Sequence, residues 1–180
     1  MSVHKITQWA LPYCKKFHTY IDVGAHNGDT SVPFITKFAR VYAFEPNPTT
    51  NQLIPASVKM FPYALGDVEM ENVLIIPDNG FNQNTHGSTT RFRHGGIRQY
   101  SCTQKTLDSF EFSDVSLIKI DVEGGELGVV KGAVNTIVNW KPVVMFENKQ
   151  GKNNLVVDFF RDLRYNVKKY KSDWIAWYEE

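Results

Sequence analysis

Residues 20–30 of this 180-residue chain are YIDVGAHNGDT, and residues 117–126 are LIKIDVEGGE. Each stretch is an apolar run that ends in a carboxylate and continues into glycines and then a helical pattern. In an open parallel sheet, such strands bring acidic side chains and bare backbone together at the carboxyl edge, where ligands bind. The two stretches therefore predict a nucleotide-type pocket, with carboxylates suited to a ligand that carries a ribose and a positive charge.

A third stretch adds another acid to this pocket. Residues 41–48, VYAFEPNP, predict a buried strand whose acid, Glu45, follows Gly24 by about 20 residues, the offset of a carboxylate that binds a ribose diol. The glycines depart from the dinucleotide pattern, because His26 occupies the middle position between Gly24 and Gly28. A pyrophosphate needs close backbone approach there, so S-adenosylmethionine, a nucleoside without phosphates, fits the pattern better than NAD.

Composition excludes several classes of function. Hydrophobic residues make up 42% and charged residues 22% of the chain, as in ordinary soluble proteins, and the length predicts one domain, 1–180. The net charge of +1 predicts no nucleic-acid partner. No stretch approaches the ~20 apolar residues of a membrane span, and the N-terminus lacks the apolar region of a secretory signal. With only Cys14 and Cys102, we expect a cytoplasmic protein with reduced cysteines.

The predicted elements alternate along the chain as in α/β proteins. Apolar spacing predicts an N-terminal helix at 4–17, within residues 1–18, and further helices at 30–38, 126–138 and 155–163. Strands are predicted at 19–23, 40–45, 58–63, 73–76, 98–103, 117–121 and 142–147, followed by a hairpin over 166–178. This order predicts a doubly wound, mostly parallel Rossmann-like sheet with helices on both faces and a C-terminal antiparallel hairpin.

The hairpin and the motifs give the chain a family resemblance. The sheet resembles the class I S-adenosylmethionine-dependent methyltransferase fold, and the motifs resemble FkbM-type methyltransferases, which are mostly O-methyltransferases of sugars and secondary metabolites. The resemblance runs from Tyr20 to about Glu147. Its motifs are Asp22-Val23-Gly24-Ala25, Phe44-Glu45-Pro46-Asn47, Ala64-Leu65-Gly66-Asp67, Thr106-Leu107-Asp108, Ile118-Lys119-Ile120-Asp121-Val122-Glu123-Gly124, Lys131-Gly132-Ala133 and the strand from Pro142 to Glu147.

The resemblance implies roles for individual residues around a bound S-adenosylmethionine. Asp22 and the backbone at Gly24 would hold its amino-acid end, Glu45 would accept its ribose hydroxyls, and Asp121 would lie near its methionine part. The family has Asn directly after Gly-Ala, where this chain has His26 and then Asn27, so Asn27 is the candidate for that contact. The remaining cofactor-binding candidates are Gly28, Pro46, and the pair that would border the adenine, Ala64 and Leu65.

Each of these residues also has a structural interpretation. Gly24 and Gly28 could serve only to permit a tight strand-to-helix turn. The carboxylates of Asp121, Glu123 and Glu126 could complement the dipole of the helix that follows them, and for Glu126 this interpretation is favoured over catalysis.

Methyl transfer to an alcohol needs a base to accept the hydroxyl proton. Glu123 and Asp121 are the favoured catalytic candidates, and His86 and His94 are the others. The two histidines lie in a long polar segment, 77–97, that could act as a lid or acceptor-binding loop or be only a mobile surface loop. Its local positive charge, from Arg91, Arg93, His94 and Arg98, suits an anionic or polyhydroxylated acceptor such as a carbohydrate.

Three other functions stay open at this point. A Mg²⁺-dependent O-methyltransferase could use Asp121, Glu147 and Asn148 as oxygen ligands, although the favoured interpretation assigns no metal ligand. An NAD(P)-dependent oxidoreductase is disfavoured by His26 and by the lack of a substrate domain. A non-catalytic module that kept the fold would bind the cofactor without turnover. The sequence predicts neither the acceptor nor the oligomeric state.

Overall fold

The structure is a computed structural model that describes residues 9–77, 97–147, 154–171 and 173–179. Its strands are β1 (Thr19–Val23), β2 (Arg40–Phe44), β3 (Lys59–Phe61), β4 (Ala64–Leu65), β5 (Met70–Pro77), β6 (Ile97–Lys105), β7 (Val115–Ile120), β8 (Val143–Glu147), β9 (Asn166–Tyr170) and β10 (Asp173–Trp177). Its helices are α1 (Glu126–Lys131), α2 (Val134–Trp140) and α3 (Leu155–Asp162), with 3-10 turns at Leu11–Tyr13, Val32–Phe34, Asn51–Leu53 and Asp108–Phe110.

A seven-stranded sheet in the order β3-β2-β1-β7-β8-β10-β9 forms the centre of the molecule. The first five of these strands are parallel, whereas β10 is antiparallel to both β8 and β9. The predicted mostly parallel sheet with an antiparallel C-terminal hairpin is therefore confirmed. Strands β1 and β7 are buried along their whole length and are mostly apolar, as expected of central parallel strands covered on both faces.

The central sheet has a hydrophobic core on each face. Val129, Ile137 and Phe160, from α1, α2 and α3, pack on the face that carries Ile21 and Ile118. Phe34, Phe38 and Ala10 cover the opposite face, which carries Tyr20 and Leu117. Among the described residues, the second face is thus covered by short 3-10 segments rather than by long helices.

Two of the predicted helices are wrong within the described part of the chain. In the segment 30–38 only the 3-10 turn Val32–Phe34 forms, with Pro33 inside it. The N-terminal segment is helical at 9–10 and 3-10 at Leu11–Tyr13, then turns extended at Cys14, short of the predicted end at 17. Residues 1–8 lie outside the described residues.

The predicted strand at 58–63 forms only at Lys59–Phe61, as β3 at the edge of the central sheet. The strand that follows it, β4, belongs to another sheet and pairs with β6. The strands predicted at 73–76 and 98–103 form within β5 and β6, which pair antiparallel and with β4 make a separate three-stranded sheet. Among the described residues, no helix has the length and apolar character that crossing a membrane requires.

Candidate functional site

The register of the sheet aligns the ends of four neighbouring strands. Val23 of β1 is opposite Phe44 of β2 and Ile120 of β7, and Ile120 is in turn opposite Phe146 of β8. The residues that directly follow this row are Glu45, Gly24, Asp121 and Glu147. The structure thus brings the sequence-predicted acids and the first glycine to one edge, at the carboxyl ends of the parallel strands.

Gly24 begins the turn out of β1 with a backbone that other residues rarely adopt. Its φ is +77°, and a Cβ at this position would overlap the backbone carbonyl of Asp121. Its amide donates to the carbonyl of Phe44 at 2.9 Å, and the amide of Ala25 donates to the same carbonyl at 3.1 Å. The absence of a side chain is therefore required where the turn after β1 passes the end of β7.

Glu45 is buried, and two backbone amides fix its carboxylate. One oxygen accepts from the amide of His26 at 2.8 Å, and the other accepts from the amide of Asn47 at 2.9 Å. Burial raises the pKa of Glu45 above its ordinary value, although these two hydrogen bonds and the positive charge of Lys119 oppose the shift. The side chain is consequently held in one direction at the end of β2, with acceptor capacity left on both oxygens.

A buried ion pair joins β1 to β7 just below the edge. Lys119 donates to the carboxylate of Asp22 at 3.1 Å, and the hydroxyls of Thr30 and Ser31 donate to the other oxygen of that carboxylate at 2.5 and 2.6 Å. Asp22 is fully buried. Its predicted contact with the amino-acid end of a cofactor stays a prediction, since the structure shows its carboxylate engaged inside the protein.

Lys119 is a site residue to which the sequence analysis gave no role. Burial by itself lowers the pKa of Lys119, but Asp22 and Asp121 outweigh that effect, so the pKa lies above its ordinary value. The signal that could have identified it is a lysine inside the apolar run 117–120, a position that needs a partner for its charge.

Three half-buried carboxylates come together above this pair. Oxygen atoms of Asp121, Glu123 and Glu147 all lie within 4.8 Å of one another. Asp121 also lies 3.7 Å from the ammonium of Lys119. The structure therefore brings together the two predicted catalytic residues, Asp121 and Glu123, and two of the three candidate metal ligands, Asp121 and Glu147. The third candidate ligand, Asn148, lies outside the described residues.

The remaining predicted contacts lie around these strand ends. The side chain of Asn27 accepts from the amide of Asp29 at 3.3 Å, and Gly28 has a φ of +85° in the same turn. Pro46 is half-buried beside Glu45, whereas the short strand β4, Ala64–Leu65, is buried and belongs to the smaller sheet. These roles stay predictions, because placement at the edge does not show contact with a ligand.

Glu126 has a structural partner. Its carboxylate is buried and accepts from the amide of Gly124 at 2.8 Å, which fixes the turn between β7 and α1. Burial raises its pKa, and the hydrogen bond to Gly124 opposes the shift. The hydrogen bond to Gly124 thus gives this residue a structural role in the turn.

The predicted acceptor loop falls mostly outside the described residues. His86, Arg91, Arg93 and His94 lie in that part of 77–97, so their predicted roles stay predictions. Arg98 is exposed on β6, which starts at the end of this segment.

Comparison with solved structures defines the class of the fold. It matches methyltransferase FkbM from Methylobacillus flagellatus with a TM-score of 0.64 and 17% identity, over 91% of this chain and 44% of that one. It also matches precorrin-6y C5,15-methyltransferase from Geobacter metallireducens with a TM-score of 0.57 and 13% identity, over 99% and 90% of the two chains. The architecture is that of the class I methyltransferases.

Sequence comparison then gives the family. Residues 22–171 match the model described as the methyltransferase FkbM domain, and the chain belongs to this family. It is 32% identical over 127 residues to hexuronic acid methyltransferase AglP of Haloferax volcanii, which covers 64% of this chain. The chain spans about half the length of that curated relative, 50%.

Proposed function

We propose that this domain binds S-adenosylmethionine and transfers its methyl group to a hydroxyl of a sugar, a glycan or a secondary metabolite. Membership of the FkbM family supports methyl transfer. The name of the relative AglP, a hexuronic acid methyltransferase, supports a carbohydrate acceptor. The acceptor and the cofactor are both parts of the proposal.

The observation that carries the choice of cofactor is the way in which the turn after β1 uses its amides. A dinucleotide site directs amides of such a turn toward a pyrophosphate. Here five amides of the turn, those of residues 24–26, 28 and 29, donate to acceptors within the protein: the carbonyl of Phe44, the carboxylate of Glu45, the carbonyl of Ala25 and the side chain of Asn27. The amide of His26, in the place of the middle glycine, is the one that holds Glu45. This arrangement suits a ligand with a ribose and no phosphate.

The residues at the edge fit the parts of S-adenosylmethionine. Glu45 would accept the ribose hydroxyls, with Pro46, Ala64 and Leu65 beside the adenine. The turn of Gly24, Asn27 and Gly28, together with Asp121, would hold the amino-acid end, and the buried Asp22 would support them from inside the sheet. When bound, this cofactor would supply a methyl group on a sulfonium, whose sulfur is a good leaving group.

The protein would then contribute alignment and proton removal. Holding two reactants in line lowers a barrier by on the order of 7–11 kcal/mol. Glu123 and Asp121 stand at the edge as the candidate bases, and a positioned base contributes roughly 10²–10⁴-fold to the rate. The backbone of Glu123 has a φ of +56°, and its carboxylate lies in the cluster with Asp121 and Glu147.

Isothermal titration calorimetry tests the proposed cofactor. We expect S-adenosylmethionine and its product S-adenosylhomocysteine to bind, and NAD to bind far more weakly. Tighter binding of NAD, or no binding of S-adenosylhomocysteine, would contradict the proposal. Binding without turnover on a broad panel of hexoses, deoxyhexoses, uronic acids and their nucleotide-linked forms would instead indicate a non-catalytic module.

The cluster of Asp121, Glu123 and Glu147 favours one second candidate, a Mg²⁺-dependent O-methyltransferase. Carboxylate oxygens are the ligands that Mg²⁺ prefers, and a metal-bound acceptor hydroxyl would need no protein base. Loss of turnover in EDTA, restored by Mg²⁺, would support this function. Glu147→Gln should then weaken the response to Mg²⁺ while S-adenosylhomocysteine affinity changes little, and full turnover in EDTA would exclude it.

A further inference from the structure

Lys119 is a buried ammonium in the middle of the central sheet. It lies opposite Asp22 in the register of β1 and β7, and only 4% of its side chain is exposed. Removing an ammonium from water is costly unless partners satisfy it. An apolar residue would fill this strand position without that cost, so the contacts of the ammonium indicate what the lysine contributes.

The ammonium of Lys119 contacts three acceptors, one inside β1 and two just beyond the ends of β1 and β7. Besides Asp22, it donates to the carbonyl of Gly24 at 3.3 Å and lies 3.7 Å from a carboxylate oxygen of Asp121. Asp22 lies inside the sheet, whereas Gly24 and Asp121 are the first residues beyond β1 and β7. The lysine thus ties the interior of the sheet to its ligand-binding edge.

We propose that Lys119 is a positioning residue for the cofactor site, which it orders by holding the Gly24 carbonyl and the Asp121 carboxylate in place. This inference rests on the proposed function, since it concerns the site that would bind S-adenosylmethionine. A counter-ion for Asp22 alone would need one contact. The two additional contacts fix the turn after β1 and the acid after β7 with respect to each other.

Asp121 is the partner through which this effect reaches the ligand. Its side chain is 32% exposed, so it is accessible at the edge while one oxygen faces the lysine. Without the ammonium, Asp121 would lie beside Glu123 and Glu147 with no cation among its described partners. Like charges at this distance repel, and the carboxylate would turn away from its present direction.

A double-mutant cycle tests the proposal with S-adenosylhomocysteine as the probe. The variants are Lys119→Met, Asp121→Asn and the double variant, and the readout is affinity by calorimetry. A lost charged hydrogen bond corresponds to roughly tenfold or more in affinity, so each single variant should lose about that factor. Because the lysine acts through Asp121, the double variant should lose little more than the weaker-binding single variant. Losses that multiply to about a hundredfold would overturn the proposal.

Lys119→Met leaves Asp22 as an unpaired buried charge, and this could prevent folding. The cycle is then measured in an Asp22→Asn background, which removes that charge while keeping the shape of the side chain. We expect the same failure of additivity there. If Lys119→Met also fails to fold in this background, Lys119 has a structural role and the proposal is wrong.

Lys168→Met is the matched control, because Lys168 is exposed on the edge strand β9. It should bind S-adenosylhomocysteine as the wild type does. Absence of binding by the wild type would overturn the proposed function and, with it, this inference. Wild-type binding combined with multiplying losses would overturn this inference alone.

Discussion

Glu45 combines a buried carboxylate with two backbone hydrogen bonds that fix its direction. In Glu45→Ala the site loses the acceptor for the ribose hydroxyls, while the residues around Asp121 keep their places. Lost hydrogen bonds to a charged group cost roughly 1.5–3 kcal/mol, so S-adenosylhomocysteine affinity should fall about ten- to a hundredfold by calorimetry. Glu69→Ala, at a half-exposed glutamate paired with Lys105, is the control. If Glu45→Ala and Glu69→Ala bind S-adenosylhomocysteine with equal affinity, Glu45 is not part of the binding site.

Because the pKa of Glu45 is raised, we expect the affinity for S-adenosylhomocysteine to depend on pH. Protonation removes acceptor capacity, so affinity should decrease as the pH falls. A raised pKa places the onset above pH 4.5, the ordinary carboxyl value. Calorimetry between pH 7 and pH 5 on the wild type and Glu45→Gln measures this difference, because the glutamine does not titrate. Parallel pH profiles for the two proteins would exclude Glu45 as the titrating group.

A variant of Glu123 distinguishes a role in cofactor binding from a role in methyl transfer. Glu123→Gln keeps the shape and the left-handed backbone of this residue but removes its basicity. We expect S-adenosylhomocysteine binding close to that of the wild type, and turnover lower by roughly 10²-fold or more if Glu123 is the base. The measurement needs an acceptor from the carbohydrate panel. Wild-type turnover in this variant would transfer the role to Asp121, to a histidine of the segment 77–97 or to a metal ion.

The sequence predicted the residues at the edge of the sheet but missed Lys119, which lies beneath them. Gly24, Glu45 and Asp121 each follow an apolar run directly, and parallel strands end at one edge, so their neighbourhood could be predicted. Lys119 pairs with an acid 97 residues earlier in the chain. That pairing depends on which strands are neighbours and on their register, and an apolar run alone contains neither.

At the scale of elements, the predicted helix 126–138 shows how a tertiary contact ends a helix. The apolar periodicity continues through this segment, but the structure has two helices, α1 and α2, separated at Gly132. The carbonyl of Gly132 accepts from the amide of Asp108, and the carboxylate of Asp108 accepts from the first-turn amides of α2, Asn135 and Thr136. Sequence periodicity could not predict this partner, because it lies on a different segment.

Two glycines one helical turn apart test that explanation. A Cβ at Gly132 would overlap the backbone carbonyl of Gly66, whereas a Cβ at Gly128 would meet its nearest neighbour at 3.7 Å. Gly132→Ala should therefore lower the free energy of unfolding by about 1–3 kcal/mol through overpacking. Gly128→Ala should raise it by roughly 0.5–1 kcal/mol, because alanine favours the helix. Urea denaturation measures the free energy of unfolding of both variants. Similar effects in the two would refute the close approach of Gly132 to the carbonyl of Gly66.

At the scale of the whole molecule, ligand binding should appear as thermal stabilisation. A ligand at 100 times its Kd adds about 2.7 kcal/mol to the stability of the folded state. For a domain of this size, each kcal/mol raises the Tm by roughly 2–4 °C. S-adenosylhomocysteine should thus raise the Tm by about 5–10 °C, and NAD at the same concentration should raise it far less. The reverse order of the two ligands would contradict the proposed cofactor.

The global topology was predictable in part. Long apolar strands, the terminal hairpin and the order of motifs determine the mostly parallel sheet and its antiparallel end. The smaller sheet was not foreseen, because the choice of β4 to pair with β6 depends on the local geometry of Ala64–Leu65. The predicted helices on the second face were wrong where Pro12 and Pro33 fall within 3-10 turns.

The strand order also constrains how a growing chain can assemble. Strand β9 is made before β10, yet in the sheet β10 lies between β8 and β9. Until β10 emerges from the ribosome, β9 has no neighbour in this sheet and the apolar strand β8 presents an open edge. An open apolar edge readily pairs with other chains, so the nascent chain is exposed to aggregation during this interval. A nascent chain halted before residue 173 would lack the means to close that edge.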